Sequence, residues 1–157
     1  MDDENWREPA ELARAYAPAI YRLAYARTGS RADAEDVMQE TFVRLLRARP
    51  DFAEPEHARA WLLRVAANCA NDWFRAPWRR REGPLEGHEA LPAPEGPEPG
   101  GVVEAVLALP AKYRIPIHLY YYEELSVAEI AKIMGKSEGA VKSRLFRARA
   151  LLRDMLK

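Results

Sequence analysis

Residues 125–149 read LSVAEIAKIMGKSEGAVKSRLFRAR, and this pattern predicts two short helices joined by a glycine turn. Ser126 and Ser137 stand where helix N-caps are expected, because a serine hydroxyl can accept from the N–H groups that a helix start leaves unpaired. Gly135 can adopt the positive φ that ends the first helix. The small Ala131 falls where the two helices must approach each other. The segment is therefore predicted to form a helix-turn-helix.

The second predicted helix combines an apolar stripe with a basic face. Steps of four and three place five apolar residues on one side: Val141, Leu145, Ala148, Leu152 and Met155. Four residues fall off that stripe: Lys142, Ser143, Phe146 and Arg147. Between residues 136 and 157, seven Lys or Arg accompany two acidic residues, an excess that suits a DNA phosphate backbone. A solvated amphipathic surface is the alternative, but a phenylalanine among these bases favours DNA recognition.

Charge is unevenly distributed along a chain whose formal net charge is zero. Residues 1–81 carry 14 basic and 13 acidic side chains, residues 82–100 carry five acidic and no basic ones, and residues 101–157 carry ten basic and six acidic ones. A neutral chain does not suit a protein that coats DNA without regard to sequence, since that binding depends on many released counterions. The distribution favours a protein that meets DNA with the help of a partner.

Length and composition limit the fold to one ordinary domain or two small ones, since the chain has 157 residues and 48% of them are hydrophobic. The single cysteine, Cys69, excludes an internal disulfide and lies on an apolar helical face, so we predict a buried small residue rather than a reactive thiol. No signal-peptide pattern follows the acidic start, and no apolar run approaches the ~18 residues of a membrane span. A soluble, cytoplasmic protein without membrane insertion is expected.

A segment rich in proline, glycine and glutamate divides the chain. Residues 83–101 contain five prolines and five glycines, with almost no large apolar side chain. Proline stiffens such a segment, and the five glutamates of residues 82–100 keep it solvated. We therefore predict an extended acidic linker over residues 82–101, between helical domains over residues 1–81 and 102–157.

At least three helices are predicted in the first domain. The first covers about residues 11–28 and ends at Gly29. The second begins after Ser30, in a sequence that resembles a capping box. The residues that follow the i, i+3, i+4, i+7 pattern of its inward face are Ala34, Val37, Met38, Thr41, Phe42, Leu45 and Leu46. The third begins near Pro55. Its apolar residues are Trp61, Leu62, Val65, Ala66, Cys69, Ala70 and Trp73, and its outward residues are Arg59, Arg64, Asn68, Asn71 and Arg75.

No segment alternates like a β-strand for long, so an all-α fold is predicted. Residues 115–122 are locally β-prone, but their flanks have a helical pattern. Pro116 within them is expected to start or kink a helix.

Three features occur in order along the chain: DAEDVMQETF at residues 33–42, WLLRVAAN at residues 61–68, and the helix-turn-helix beyond the linker. In this combination the chain resembles a bacterial RNA polymerase sigma factor of the small, two-domain extracytoplasmic-function (ECF) group of the sigma-70 family. The resemblance covers residues ~10–80 and ~100–155. It implies a region 2-like helical bundle that acts on the −10 promoter element and a region 4-like helix-turn-helix that acts on the −35 element. Such a protein binds core RNA polymerase and directs it to promoter DNA.

The resemblance assigns a polymerase-binding face to the second predicted helix. Its members are Asp33, Glu35, Asp36, Gln39 and Glu40. A basic coiled coil on the largest polymerase subunits would meet these carboxylates, and charge complementarity would set orientation and association rate. A solvated helix face is the alternative, although acids this dense without lysines four residues on repel one another.

The loop of residues 49–55 and the helix after it are implied to hold the melted −10 strand, because single-stranded bases are bound by stacking and by cations beside the backbone. The candidates are His57, Arg59, Trp61, Arg64, Asn68 and Asn71. Trp61 lies on the apolar stripe, so a core residue is expected, with a part in shaping a base pocket as the alternative. Asn68 and Asn71 either bond base edges or are simply solvated. Four further arginines are expected at phosphates or polymerase: Arg75, Arg79, Arg80 and Arg81.

Contact with the −35 element is assigned to the basic face of the helix-turn-helix. The residues are Lys142, Ser143, Phe146 and Arg147. Lysine and arginine donate to guanine edges or phosphates, and phenylalanine can pack on a thymine methyl or a sugar. Arg144 and Arg149 are expected as DNA-backbone clamps or as partners of local acids.

Other functions fit the sequence less well. The acids and histidines form no metal-ligand spacing, phosphate-binding loop or nucleophilic triad, so we expect no enzyme activity, metal or cofactor. A stand-alone helix-turn-helix regulator shares the C-terminal pattern but normally dimerises to read paired half-sites, whereas a monomer is expected here.

Two features have alternative interpretations. The aromatic side chains at Tyr120, Tyr121 and Tyr122 are either buried or face polymerase or an inhibitor, and an anti-sigma factor is a further partner that the resemblance implies. The acidic linker either occupies a cationic channel of the polymerase or is a plain spacer.

Overall fold

The computed structural model describes residues 5–75 and 102–155, and this part of the chain is all-α, without a β-strand. A 3-10 turn (Asn5–Arg7) precedes the helices that these residues form: α1 (Pro9–Thr28), α2 (Arg31–Ala48), α3 (Pro55–Arg75), α4 (Val102–Ala108), α5 (Ala111–Tyr121), α6 (Val127–Met134) and α7 (Glu138–Met155). In these two stretches no helix combines the length and apolar character needed to cross a membrane. The predicted linker of residues 82–101, and the side chains of Arg75, Arg79, Arg80 and Arg81, lie outside the described part.

The first three helices pack pairwise into a bundle around one core. Its most deeply buried large side chains include Ile20, Tyr21, Leu23, Met38, Leu62 and Leu63. α1 ends at Gly29, whose φ of 70° lies in the left-handed region that glycine adopts without strain. Ser30 Oγ then accepts from the Asp33 N–H at 3.2 Å and caps α2. The three predicted helices and the turn between the first two are confirmed.

Some residues predicted in apolar stripes are less buried than the pattern indicates. Leu46 is 56% exposed because it points about 100° away from the buried Leu45, beyond the sector that α1 and α3 cover. Met155 is 42% exposed because it lies in the last turn of α7, where the burial of the stripe falls away. Trp61 and Val65 are half-buried at the edge of the α3 stripe. The pattern was wrong for Leu46 and Met155.

α6 and α7 form the predicted helix-turn-helix. The capping box of α6 is complete, since Ser126 Oγ accepts from the Glu129 N–H at 3.1 Å and Glu129 Oε1 accepts from the Ser126 N–H at 2.9 Å. Gly135 ends α6 with a φ of 66°. Ser137 Oγ accepts from the Ala140 N–H at 3.1 Å and caps α7. The predicted caps and glycine turn are confirmed.

Pro116 lies inside α5 rather than at its start. A proline removes the N–H that would bond to the carbonyl four residues earlier, which is that of Lys112. Arg144 Nη1, from α7, donates to this Lys112 carbonyl at 3.3 Å. The neighbouring helix therefore satisfies the acceptor that the proline leaves unpaired, and α5 continues past it.

The N-terminal bundle and the C-terminal helices pack against each other. α1 contacts α4 and α5, and α3 contacts α6. Leu63 and Ala67 are 1% and 2% exposed, although the apolar stripe predicted for α3 did not include them. They follow Arg59 at four-residue steps, so these three residues form one row on a second side of α3. Hydrophobic residues from both groups of helices belong to one continuous core.

Candidate nucleic-acid interface

The helix-turn-helix presents its basic face to solvent. α7 buries Val141 and Leu145, which turns the other side of the helix outward. The four residues predicted there are all exposed: Lys142, Ser143, Phe146 and Arg147. Phe146 is 68% exposed and lies on the same face as Lys142 and Arg147. A thymine methyl or a sugar could pack on it while the cations hold phosphates or guanine edges.

An open groove of about 1000 Å³ runs along this face between α5 and α7. Lys112 and Tyr113 line it from α5, and Lys142, Phe146 and Arg147 line it from α7. The positive charge therefore comes from both helices. Lys112 is a basic residue of this surface that the helical pattern of α7 did not identify.

Arg144 and Arg149 point away from this face and towards α5. Arg144 donates to the Lys112 carbonyl, as described above. Arg149 Nε donates to the Tyr121 hydroxyl, and its guanidinium lies 5.2 Å and 5.5 Å from the ring centroids of Tyr120 and Tyr121. Within the described residues, the partners of these two arginines are a carbonyl and tyrosine rings rather than local acids.

The predicted polymerase face of α2 is half-buried along its length. Its members are Asp33, Glu35, Asp36, Gln39 and Glu40. Burial, followed by repulsion from the carboxylates of Asp33 and Glu35, raises the pKa of Asp36. Glu40 Oε2 accepts from Arg44 Nε at 3.1 Å, a pairing at four-residue spacing. The acids at the start of α2 thus repel one another, whereas Glu40 has a cationic partner.

The loop of residues 49–55 is held by side chains that the sequence analysis did not single out. Phe52 is buried and packs edge to face on Trp61, with ring centroids 6.0 Å apart. Arg7 Nε donates to the Phe52 carbonyl at 3.1 Å, and the Tyr16 hydroxyl donates to the Pro55 carbonyl at 3.3 Å. Trp61 therefore packs against the loop through Phe52 and is half-buried. No local pattern could identify Arg7, because its contact spans 45 residues.

The predicted −10 residues fall into two groups. His57, Arg64 and Asn68 are exposed on α3. Asn71 is half-buried, and its Oδ1 accepts from Arg27 Nε at 2.9 Å. Arg59 is also half-buried, because it contacts the C-terminal helices.

Arg59 meets Glu123, which lies just after α5. Arg59 Nη2 donates to the Glu123 carbonyl at 3.0 Å and to Glu123 Oε1 at 3.3 Å. Arg22 of α1 donates to both carboxylate oxygens, from Nε at 3.1 Å and from Nη2 at 3.2 Å. His118 Nε2 lies 3.1 Å from Glu123 Oε2. Three helices from both parts of the molecule thus converge on one carboxylate, and we name these four residues the Glu123 cluster.

The carboxylate of Glu123 stays charged although its side chain is only 3% exposed. Burial alone would raise its pKa, but hydrogen bonds and positive charge from His118 and Arg22 lower the pKa to about 2. Glu123 was not predicted as a functional residue from the sequence, because its contacts with Arg22 and Arg59 span 101 and 64 residues.

Cys69 is buried at 3% exposure, as predicted, and burial raises the pKa of its thiol. A thiol in such surroundings is a poor nucleophile. In the described ranges, no group of three or more His, Cys, Asp or Glu side chains is placed to hold a metal ion.

Family models match both parts of the chain. The model described as Sigma-70 region 2 matches residues 12–80, and the model described as Sigma-70, region 4 matches residues 101–152.

Curated relatives cover most of this chain. ECF RNA polymerase sigma factor SigE of Mycolicibacterium smegmatis is 38% identical, over 93% of this chain and 60% of the relative. ECF RNA polymerase sigma factor BldN of Streptomyces coelicolor is 34% identical, over 90% of this chain and 57% of the relative. This chain thus spans less than two thirds of the length of these two relatives. ECF RNA polymerase sigma factor SigW of Bacillus subtilis is 32% identical, over 94% of this chain and 88% of the relative.

Two solved structures share the fold. CnrH, solved in complex with the cytosolic domain of CnrY, has a TM-score of 0.67 and 28% identity, over 98% of this chain and 90% of that chain. The sigma factor RpoE of Bartonella quintana, solved with the anti-sigma factor NepR, has a TM-score of 0.72 and 24% identity, over 94% of this chain and 95% of that chain. With both family models matched in order and the relatives aligned across both, the chain belongs to the ECF group of sigma-70-family RNA polymerase sigma factors.

Proposed function

We propose that this chain binds core RNA polymerase and directs it to promoters, with the N-terminal bundle on the −10 element and the helix-turn-helix on the −35 element. The observation that carries the proposal is the outward face of α7, where an exposed Phe146 lies on the same face as Lys142 and Arg147 in a chain of this family. Core polymerase is proposed as the partner because the chain belongs to this family. The basic face of α7 offers a surface that can bind duplex DNA.

For the −35 element, we assign base-edge or phosphate contact to Lys142, Ser143, Phe146 and Arg147. Arg144 and Arg149 are assigned to the DNA backbone. Because both now bond to α5, they must turn outward to reach a phosphate, and we expect their contribution to be the smaller one.

For the −10 element, the proposed residues are His57, Arg59, Trp61, Arg64, Asn68 and Asn71. The exposed members are available to a single strand, whereas Arg59 and Asn71 first have to leave their present partners. Arg7 and Tyr16 hold the loop of residues 49–55 by hydrogen bonds. A loop that is already ordered loses less conformational entropy when the strand binds.

For polymerase docking, we assign the face formed by Asp33, Glu35, Asp36, Gln39 and Glu40. Burial, followed by repulsion from the carboxylates of Asp33 and Glu35, raises the pKa of Asp36, and a basic partner would relieve the part that comes from repulsion. Relief of this repulsion would favour binding of the face to a cationic surface.

The proposed domain limits are residues 1–81 and 102–157, with residues 82–101 as the linker. We propose that the chain acts as a monomer in the cytoplasm, where core polymerase and promoter DNA are found. An anti-sigma factor is the further partner we propose, supported by the similar sigma-factor fold that was solved with one. Purification of the chain from its host, followed by identification of the proteins that accompany it, tests for polymerase and for such an inhibitor.

Run-off transcription tests the proposed function. Core polymerase reconstituted with this chain should start transcription from host promoters, at a ratio of one chain per core enzyme. Phe146→Ala should lose initiation at promoters that depend on the −35 element. Met155→Ala is the matched control, since Met155 is an exposed apolar residue of α7 that does not line the groove. A chain that binds duplex DNA alone as a dimer and leaves core polymerase inactive would be a stand-alone regulator instead.

A further inference from the structure

The Glu123 cluster joins the two parts of the molecule that are proposed to bind different promoter elements. Arg22 and Arg59 belong to α1 and α3 of the N-terminal bundle, whereas Glu123 follows α5 of the C-terminal helices. The acid is the buried member at 3% side-chain exposure, and the two arginines are 35% and 32% exposed. Two accessible cations therefore enclose one inaccessible anion.

We propose that Glu123 holds the two DNA-binding parts together in the free chain and competes with promoter DNA for Arg59, so that the −10 surface is completed only when the parts separate. This inference rests on the proposed function, because it takes Arg59 as a residue that contacts the promoter strand.

Competition follows from the geometry of the guanidinium groups. Arg22 binds the Glu123 carboxylate with two parallel N–H···O bonds, and a guanidinium offers the same fork to a phosphate. Arg59 uses one nitrogen for both the carboxylate and the carbonyl of Glu123. A DNA phosphate that approached Arg59 would have to displace these contacts. The carboxylate thus occupies the position of the anion that Arg59 is proposed to bind in the promoter complex.

The interface around the Glu123 cluster has polar contacts as well as the apolar residues of the shared core. Arg114 Nη1 donates to the Arg27 carbonyl at 3.0 Å, and the Arg22 guanidinium lies 5.0 Å from the Tyr122 ring centroid. Glu123 and Arg22 regain water when the parts separate, which offsets part of the lost bonding.

The first test removes the charge of Glu123 and keeps its shape. In the full chain, Glu123→Gln should raise the radius of gyration measured by small-angle X-ray scattering. Glu124→Gln is the matched control, because Glu124 is the exposed next residue and its change alters the net charge equally. The wild type and Glu124→Gln should share the smaller radius.

Arg22→Gln provides a second way to break the contact. It acts from α1 and leaves the His118–Glu123 contact beside α5 in place. Circular dichroism must show that both variants retain their helices, and both should then be extended. If both variants fail to fold, the contact belongs to a permanent core and the proposal is wrong.

The second test measures the competition for Arg59. The probe is a fluorescein-labelled, 20-nucleotide single strand of mixed sequence, followed by anisotropy at low salt. Glu123→Gln should bind it at least about tenfold more tightly than Glu124→Gln, which corresponds to a free chain that is open at most about one tenth of the time. The double variant Arg59→Gln/Glu123→Gln should lose this gain.

Two results would overturn the inference. One is a Glu123→Gln chain as compact as Glu124→Gln, and the other is a gain in single-strand binding that survives Arg59→Gln. A wild-type chain that fails to start transcription with core polymerase would contradict the proposed function instead. The two failures are therefore distinguishable, since scattering and anisotropy use the chain without polymerase.

Discussion

The two proposed DNA surfaces of this sigma factor are in different states in the same molecule. On α7, the proposed −35 residues point into solvent, and Phe146 is 68% exposed. On α3, Arg59 is bound to Glu123 and Asn71 is bound to Arg27. The first surface is complete as it stands, whereas the second is partly occupied by the protein itself. Compact packing of the two parts therefore affects the −10 side more than the −35 side.

This difference predicts an acid-sensitive contact on the −10 side. The pKa of Glu123 is lowered to about 2 in the folded chain, from an ordinary glutamate value of 4.5. Its stabilising effect is therefore complete above about pH 4.5 and is lost as the pH falls towards 2, by a few kcal/mol (order of magnitude; about 1.4 kcal/mol per pKa unit). Urea unfolding at a series of pH values should show this loss in the wild type.

Two variants sharpen the acid experiment. The free energy of unfolding of Glu123→Gln should depend less on pH in this window than that of the wild type. Glu124→Gln should follow the wild type. Equal pH dependence in all three chains would contradict the charged, buried state of Glu123.

On the −35 side, the loss of a single exposed side chain should weaken promoter binding. Arg147→Ala should cost about 1–3 kcal/mol in promoter binding, because a base-edge contact is removed and nothing in the protein replaces it. Initiation by holoenzyme on promoters with single substitutions in the −35 element measures this cost. Specificity should relax at one position, and Arg153→Ala, at an exposed site near the end of the same helix, should change little. An equal loss at every promoter would identify Arg147 as a phosphate contact.

Variants of Arg59 and Arg64 distinguish the part of the −10 surface that is bonded within the protein from the part that is exposed. Both are candidate contacts on α3, but only Arg59 is bonded to Glu123. In holoenzyme, Arg59→Gln and Arg64→Gln should each lower promoter opening by several-fold, corresponding to about 1 kcal/mol. In the free chain, only Arg59→Gln should increase the radius of gyration. An increase with Arg64→Gln as well would contradict a specific role for the Glu123 cluster.

The smallest expected effect concerns salt. Lys142→Ala should weaken promoter binding by holoenzyme uniformly across sequences and reduce the slope of log K against log salt by about one, as for the loss of one phosphate contact. Binding at a series of salt concentrations measures the slope. An unchanged slope would place Lys142 outside the DNA contact.

The local sequence pattern was sufficient to predict the structure where a helix has one buried side. The caps at Ser126 and Ser137, the turn at Gly135 and the outward position of Phe146 all followed from residues less than one helix apart. The pattern was wrong for Leu46, where the sector covered by neighbouring helices is narrower than the apolar stripe. The sequence pattern locates the apolar stripe of a helix, but the packing of neighbouring helices determines how many residues of that stripe are buried.

Contacts between distant segments could not be predicted from the sequence. The burial of Leu63 and Ala67 depends on C-terminal helices covering a second side of α3. Glu123 occupies an ordinary position after a helix, and only the tertiary structure brings it to Arg22, 101 residues away. The hydrogen bonds of Arg59 and Asn71 could not be predicted either, because their partners come from other helices.

The most direct test of the two-surface account is a footprint of the reconstituted holoenzyme on promoter DNA. We predict protection of both elements by the wild-type chain, loss of −35 protection with Phe146→Ala, and weakened −10 opening with retained −35 protection with Arg59→Gln. Retained −35 protection with Phe146→Ala, or protection of two symmetric half-sites by the chain without polymerase, would contradict it.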